Sequence, residues 1–533
     1  MTASRHGSTD QPEPRDVPSW QPELDEVRRR RQIAEQLGGP ANVERQHNYG
    51  RLTARERIDV LLDKNSFREI GALTGAATYD DAGGLENVVP ANIIIGEGTI
   101  SGTKIAVSAD DFTVRGGSSE ATSPEKWQFA ERLALEQRWP LVRLVDAAGG
   151  SIRILEKNQS TKIPGYPHWP AAEMLGVIPV VGVALGPCAG LGAVRVVTSH
   201  FSVMPKKTSQ VFAAGPRVVA PGIGEEMTNE ELGGSQVHAR GSGVVDNEAE
   251  DEEDALRQVR RFLSYLPSSV FAVPPRHETG DPPDRAEARL LSLVPRDRRR
   301  VYKAREILEL VFDKESLFEI GRHQGGSTIT MLGRLNGYSV GVMANDPYVS
   351  GGAMTAAAAE KITRFVDMCD TFHVPIVNFV DQPGVHVGSK AEQKGTIRKA
   401  IRARLSLSQV SIPWCAVFVR RAFGVAGAAY GPLHDTYVRY AWPSAYWGSI
   451  PVEGGVEAAY RRDIDSSEDP AARRDELVDH FRQFESPLRT AERFGIEDVI
   501  DPRQTRPLLC EWIEEAYEKV PELLGITART MRV

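Results

Sequence analysis

An internal repeat constrains this chain more than any other feature. Ala54 to Gly71, opening Ala-Arg-Glu and closing Glu-Ile-Gly, is echoed without a gap by Ala304 to Gly321. Further on, Trp139 to Gly149 matches Val374 to Gly384, and Ile178-Pro179 matches Ile412-Pro413. Three matches in one order describe a duplicated unit of about 235 to 250 residues, so the chain is built from two similar domains. At 533 residues it is also too long for one ordinary core.

Each copy has the same grammar. A helix carrying Ala-Arg-Glu precedes Gly-bounded β-rich runs (Ile93 to Val107; Thr328 to Ala344). A long helical stretch follows (Glu125 to Arg138; Thr355 to Phe372), then a short apolar strand closed by Asp and Gly (Leu141 to Gly150; Ile376 to Gly384). Strands alternating with helices predict an α/β fold with largely parallel, buried strands. The expected organisation is a polar lead over 1–40, a first domain over 41–272, a linker over 273–300 and a second domain over 301–533. The linker is rich in Pro and charge, and its basic cluster Arg296 to Arg300 reads as solvated chain.

A formal charge of -8 gives no overall reason to approach nucleic acid or an anionic membrane. The longest apolar runs, such as Val177 to Leu185, fall far short of the roughly 20 residues that span a bilayer. No apolar secretory core opens the sequence, so the expectation is a soluble, cytoplasmic protein. The four cysteines (Cys188, Cys369, Cys415, Cys510) form no metal-binding pair and read as thiols, Cys188 as a small packing residue.

In such folds the working backbone lies at strand ends, where free N–H groups head a helix. Two Gly-rich turns qualify: Gly186 to Ala193 after the apolar run Ile178 to Leu185, and Phe423 to Tyr430 after Trp414 to Val419. Small side chains there let a ligand oxygen approach consecutive amides that can hold a developing oxyanion. The same composition also arises where a helix packs tightly on a sheet, and the residues alone leave both readings open. No Gly-x-Ser-x-Gly elbow, HExxH motif, P-loop or well-placed Gly-x-Gly-x-x-Gly occurs, which turns the reading away from hydrolysis, zinc chemistry, ATP use and hydride transfer. His200, His238, His373, His386 and His434 are scattered and read as structural or surface; Asp146 and Asp381 read as strand-end turn formers.

From Ala54 onward the sequence resembles the carboxyltransferase (beta) subunits of biotin-dependent acyl-CoA carboxylases, of the propionyl-CoA and methylcrotonyl-CoA type. The likeness is carried by Ala54 to Ile58, Asp110 to Gly117, Asp146 to Arg153, Gly186 to Gly190, Phe212 to Pro216, Gly224 to Glu226, Glu231 to Gly234, Val380 to Gly384, Gly395 to Arg398 and Ala441 to Pro443. The resemblance implies two tandem crotonase-like (ClpP/crotonase) domains, the first binding acyl-CoA and the second carboxybiotin, with the site formed between subunits of a homohexamer. It implies transfer of a carboxyl group from biotin to the α-carbon of an acyl thioester through an enolate, and no metal held by this chain. Matched residue by residue, Gly190, Leu191 and Gly192 face the thioester oxygen, and Val425, Ala426 and Gly427 face the ureido oxygen of biotin. Gly149, Gly150 and Ser151 line the thiol end of CoA.

Two departures stand out. Leu191 separates glycines that many relatives have adjacent, leaving open which amides form the first hole, and Ala428 replaces an Asp associated with acyl choice in the propionyl type. No Met-Lys-Met biotinylation tripeptide occurs, so biotin is expected on a partner, with a biotin carboxylase and a biotin carboxyl carrier either separate or fused. Two rival readings are a biotin-dependent acyl-CoA decarboxylase subunit and a non-catalytic acyl-CoA-binding paralogue.

Overall fold

The computed structural model describes residues 19–527 apart from 120–122, 162, 164, 167 and 433–436; His434 and the first part of the polar lead lie outside the described residues. The charged stretch near the start is a helix, Gln21–Glu35, with no buried residue, in keeping with its polarity on every side.

The repeated Ala-Arg-Glu segments are helices for the same reason in both copies. Ala54–Leu61 buries Ala54, Arg57, Ile58 and Leu61, and Ala304–Val311 buries Ala304, Ile307, Leu308 and Val311, so the inward positions share one helical spacing. Only the first has a capping box, Thr53 with Glu56. The copies part at one inward position, where Arg57 stands opposite Ile307.

Each half carries one sheet. The first runs Arg68–Ile70, Ile93–Ile100, Thr103–Asp110, Leu141–Val145, Val180–Ala184, Phe201–Pro205 and Asn247–Ala249. The second runs Phe318–Glu319, Thr328–Leu335, Tyr338–Asn345, Ile376–Gln382, Trp414–Phe423, Tyr437–Ala441 and Asp498–Val499. In both, the first three strands pair antiparallel and the rest pair parallel. Leu141–Val145 and Val180–Ala184 are buried along their whole length, which is why they read as apolar runs without alternation. The helices Pro124–Gln137 and Ala356–Thr371 make the crossover from the third to the fourth strand of each sheet. The α/β arrangement in two sheet-bearing halves is the one the repeat predicts.

The halves share a core. Phe201 stacks on Phe262 with centroids 4.8 Å apart and meets Phe318 of the second half edge-on at 5.5 Å. Burying one such ring contributes roughly 1.5–3 kcal/mol. Asn247 joins the backbones across the boundary: its Nδ2 donates to the Glu319 carbonyl at 3.0 Å, and its Oδ1 accepts from the Gly321 amide at 3.0 Å. Among the described residues no helix is long and apolar enough to cross a membrane.

The basic cluster between the halves is only partly solvated. Arg296, Arg299 and Arg300 are exposed, but Arg298 lies over the Tyr446 ring at 3.8 Å and pairs with Glu485 at 2.5 Å. Composition identifies a connector and cannot show that one of its arginines has an aromatic face to cover.

Candidate active site

Strand Val180–Ala184 ends short of the first Gly-rich turn. A three-residue strand, Pro187–Ala189, then pairs in parallel with Gln210–Phe212 and delivers the chain to helix Leu191–Val197. Gly190 makes that entry at φ 55°, ψ −117°, a conformation closed to residues with a Cβ. Its own N–H donates to the Phe212 carbonyl at 3.2 Å and is therefore committed. The first intrahelical bond runs from Val194 to the Gly190 carbonyl, so the amides of Leu191 and Gly192 head the helix with no earlier turn to receive them. The departure at Leu191 thus removes no donor.

Gly192 is small for a packing reason as well: a Cβ there would stand 3.3 Å from the Ala147 Cβ. Gly149, at φ 86°, lies so close to the turn that a Cβ would stand 2.9 Å from the Ala189 carbonyl oxygen. Its carbonyl accepts from the Ser119 amide at 2.9 Å, and the Ser151 amide donates to Ser119 Oγ at 3.0 Å. The segment 149–151 is thereby pinned beside Ala189-Gly190, with Gly150 exposed between its neighbours. Both readings of the glycines, close packing and open backbone, hold in this one turn.

The second turn repeats the design on one longer strand. Arg421–Phe423, the end of Trp414–Phe423, pairs in parallel with Tyr446–Gly448, as Pro187–Ala189 does with Gln210–Phe212. Gly424 follows at φ 60° and opens helix Gly424–Gly427. Gly424 therefore stands where Gly190 stands, and the counterparts of Leu191 and Gly192 are Val425 and Ala426. Gly427 is the close-packing position here, since a Cβ would fall 2.6 Å from the Ala422 carbonyl carbon. Ala426 is buried, while Val425 and Ala428 face outward. Large exposed apolar side chains recur in both halves: Val194 follows the first turn and Val425 stands in the second, while Ile152 and Val387 hold matching positions in the strand-end loops.

Behind each turn lies a buried carboxylate that is more than a turn former. Asp146 accepts from Arg57 Nη1 at 3.0 Å, Arg51 Nη1 at 3.2 Å and Gln46 Nε2 at 3.0 Å. Arg57 also holds Glu252, at 2.7 and 2.8 Å, and donates to the Leu185 carbonyl at 2.9 Å, one residue before the first turn. Against a burial penalty that alone would lower it, Glu252 and Asp146 raise the Arg57 pKa and keep the guanidinium charged. Asp381 accepts from Arg421 Nε at 2.5 Å, Arg420 Nη2 at 2.9 Å and the Tyr302 hydroxyl at 3.0 Å. Burial works to raise its pKa, but Arg421 and Arg420 hold it below the ordinary carboxylate range. Both carboxylates are engaged as counter-ions.

Sequence reasoning missed these networks. The one available signal was the mismatch of Arg57 with Ile307 in an otherwise gapless repeat, together with the Arg420-Arg421 pair in an apolar strand. A further repeat also escaped notice: Arg115–Gly117 and Ser350–Gly352 are matching hooks, each with positive-φ glycines, beside the strand-end loops.

The remaining candidates are structural. Cys188 is buried, its thiol pKa pushed up by burial and by Asp146, so it makes no ready nucleophile. His200 is buried and neutral: its Nδ1 accepts from the Val180 amide at 3.0 Å and its Nε2–H donates to the Leu175 carbonyl at 3.0 Å. Burial pushes its pKa down to about 3.

The family described as carboxyl transferase domain matches residues 45–524. The carboxyltransferase subunit of propionyl-CoA carboxylase from Haloferax mediterranei is 37% identical over 486 residues, covering 91% of this chain and 94% of that one. The alpha subunit of methylmalonyl-CoA decarboxylase from Veillonella parvula is 34% identical over 472 residues, covering 88% and 91%. In three dimensions the chain is similar to a transcarboxylase 12S subunit, a hexamer assembly crystallised with methylmalonyl-coenzyme A and methylmalonic acid bound. That likeness has a TM-score of 0.84 at 30% identity and covers 94% of this chain and 96% of that one.

Proposed function

The chain belongs to the carboxyl transferase family, a carboxyl-transferring enzyme of the acyl-CoA carboxylase group with two crotonase-like halves, and on that footing we propose how its two turns divide the work. The first half, taken as 41–272, receives acyl-CoA, with Gly149, Gly150 and Ser151 along the thiol end. The amides of Leu191 and Gly192 receive the thioester oxygen as it gains charge in the enolate, while Gly190 shapes the turn. In the second half, taken as 301–533, the amides of Val425 and Ala426 receive the ureido oxygen of biotin, with Gly427 holding the turn against its strand. The matched glycine-led turns at Gly190 and Gly424 carry this reading.

Backbone donors that are fixed before reaction need no reorganisation when charge develops, and losing one typically costs about 2.7 to 4 kcal/mol of transition-state stabilisation. Biotin, delivered on a carrier protein, supplies the carboxyl group and accepts the α-proton. The outward-facing second turn, with Gly424, Val425 and Ala428 exposed, has room for such a ring. Commitment of Asp146 and Asp381 to arginines fits a reaction without a side-chain base. The apolar residues flanking each turn favour a site completed by a second subunit, in a hexamer like that of the transcarboxylase 12S subunit. A biotin carboxylase and a biotin carrier complete the set of partners.

The test mixes purified chain with malonyl-CoA or methylmalonyl-CoA and free biotin and follows biotin-dependent loss of the carboxyl group. Ala426→Pro deletes one N–H on the biotin side and is expected to abolish transfer while acyl-CoA affinity stays within about threefold. Joint loss of both would mean misfolding, and full activity would remove the second turn from the mechanism. Intact acyl-CoA binding without turnover across an acyl panel would favour a non-catalytic paralogue. The Veillonella relative favours one further reading, net decarboxylation. Proteins co-purifying with the chain separate the two directions: a biotin carboxylase for carboxylation, a sodium-pumping membrane subunit for decarboxylation.

A further inference from the structure

Away from both turns, a cavity of about 250 Å³ lies between the two halves. Helix Ala356–Thr371 brings Glu360, Lys361 and Arg364 to its wall, helix Thr396–Ser408 brings Lys399 and Arg402, and the first half closes it with Asp246 and the neutral ring of His200. Two of the four cations have partners: Arg364 meets Asp246 at 3.2 Å, and Lys399 meets Glu360 at 2.7 Å. Arg402 makes no ion pair among the described residues, and Lys361 Nζ donates only to the Gly321 carbonyl, at 2.9 Å. With Lys361 protonated, the lining carries an excess of two positive charges.

The repeat shows that this concentration is particular to the second half. Glu125-Lys126 corresponds to Glu360-Lys361, but Phe129 occupies the position of Arg364. Lys361 is half-buried with no carboxylate in hydrogen-bond reach, which disfavours its ammonium unless a counter-charge arrives from outside. The volume falls below the roughly 300–1,000 Å³ typical of sites that enclose drug-sized ligands, so the occupant is small. Guanidinium and ammonium donors converging from two helices match the several oxygens of a phosphoryl group.

We propose that this cavity binds a small phosphate-class dianion, with Lys361 and Arg402 as its principal cationic contacts and Arg364 and Lys399 at its sides. Because residues of both halves wall the cavity, an occupant braces one half against the other. Burial supports the assignment by pushing the Lys361 pKa down to about 7: Glu319 and Asp346 favour the charged amine, Arg305 opposes it, and the burial penalty prevails. Arg364, Lys399, Arg402, Glu360 and Asp246 also face this space. A bound dianion would restore the proton, so binding above neutral pH is accompanied by proton uptake.

Inorganic phosphate, mainly the dianion at pH 8, is the probe, titrated calorimetrically into the full chain at that pH in two buffers of different ionisation heat. The expected result is saturable binding with proton uptake, at least tenfold weaker in Lys361→Met and in Arg402→Glu. Arg402 is exposed, so its substitution leaves the fold intact as checked by circular dichroism and keeps the test decisive should Lys361→Met unfold. Absence of saturable binding, or affinity within twofold of the parent in Arg402→Glu, overturns the proposal. No turnover enters the measurement, so its outcome is independent of the carboxyl-transfer mechanism.

Discussion

Replacing Arg57 by Met tests the buried ion network behind the first turn. Arg57, Asp146 and Glu252 are essentially inaccessible, with side chains 0%, 0% and 4% exposed, so solvent cannot take over the lost interactions. The substitution keeps much of the volume and deletes four hydrogen bonds: two to Glu252, one to Asp146 and one to the Leu185 carbonyl. Asp146 keeps Arg51 and Gln46, and Glu252 keeps the Leu52 amide. Removing one partner of a buried pair costs about 3–5 kcal/mol. With an unfolding entropy near 2.1 cal/mol/K per residue, a chain of this length loses about 3–5 °C in Tm.

The loss should depend on pH. Burial already holds Asp146 and Glu252 above the ordinary carboxylate range against the pull of Arg57, and loss of Arg57 raises both further above their unfolded values of about 3.9 and 4.3. An acid whose folded pKa is raised destabilises at pH above that folded value, and the penalty is relieved as pH falls toward the unfolded one. Urea and thermal denaturation at pH 7 and pH 5 should therefore show the gap between variant and parent narrowing with acid. A gap below about 1 kcal/mol at pH 7, or one that widens at pH 5, would refute the assignment of Arg57 as the counter-ion of both carboxylates.

Gly190→Ala has open space for its Cβ, with the Ala213 carbonyl oxygen nearest at 3.9 Å, so its effect is backbone strain of about 1–3 kcal/mol and at least a tenfold fall in kcat; Gly150→Ala, with an unstrained φ and nothing near, should stay within about 0.5 kcal/mol in stability. Acid should destabilise the parent in two windows read from denaturation midpoints. His200, folded pKa about 3 against about 6.5 unfolded, withdraws stability as pH falls from 6.5 toward 3, and Asp381, depressed by its arginines, withdraws stability as pH falls below about 3.9. His200→Gln should make the first window shallower, the rest of it belonging to His238, His277, His323 and His373, and leave the second unchanged. At pH 8 a disulfide-exchange thiol reagent should leave all four buried cysteines unlabelled until the protein unfolds, and Cys188→Ala should retain transfer activity; rapid native labelling of Cys188 would contradict its burial.

What the sequence makes legible follows sequence distance. The inward spacing of the Ala-Arg-Glu helices, the uninterrupted apolar strands and the glycine before each short helix are local patterns, and the repeat shows each of them twice. The ion networks are not local: Arg57 reaches Asp146 across 89 positions and Glu252 across 195, and no spacing rule links such residues. The short pairings before Gly190 and Gly424 escape notice for a related reason, because Pro187–Ala189, Gln210–Phe212 and Tyr446–Gly448 are three-residue strands with no periodicity of their own. The roles of Gly190 and Gly192 become separable only in three dimensions, where one is required by its dihedral angles and the other by the methyl group of Ala147.

The contrast between the two counter-ion sets also bears on the order in which the nascent chain can settle. Asp381 finds both its arginines within 40 residues, so the second half closes its charge centre over a short loop. The first half must wait for Glu252 to leave the ribosome before Arg57 is satisfied, and until then its sheet holds an unfinished electrostatic seam. A polypeptide released before that point carries nearly every strand of the first half and still lacks the acid that closes it.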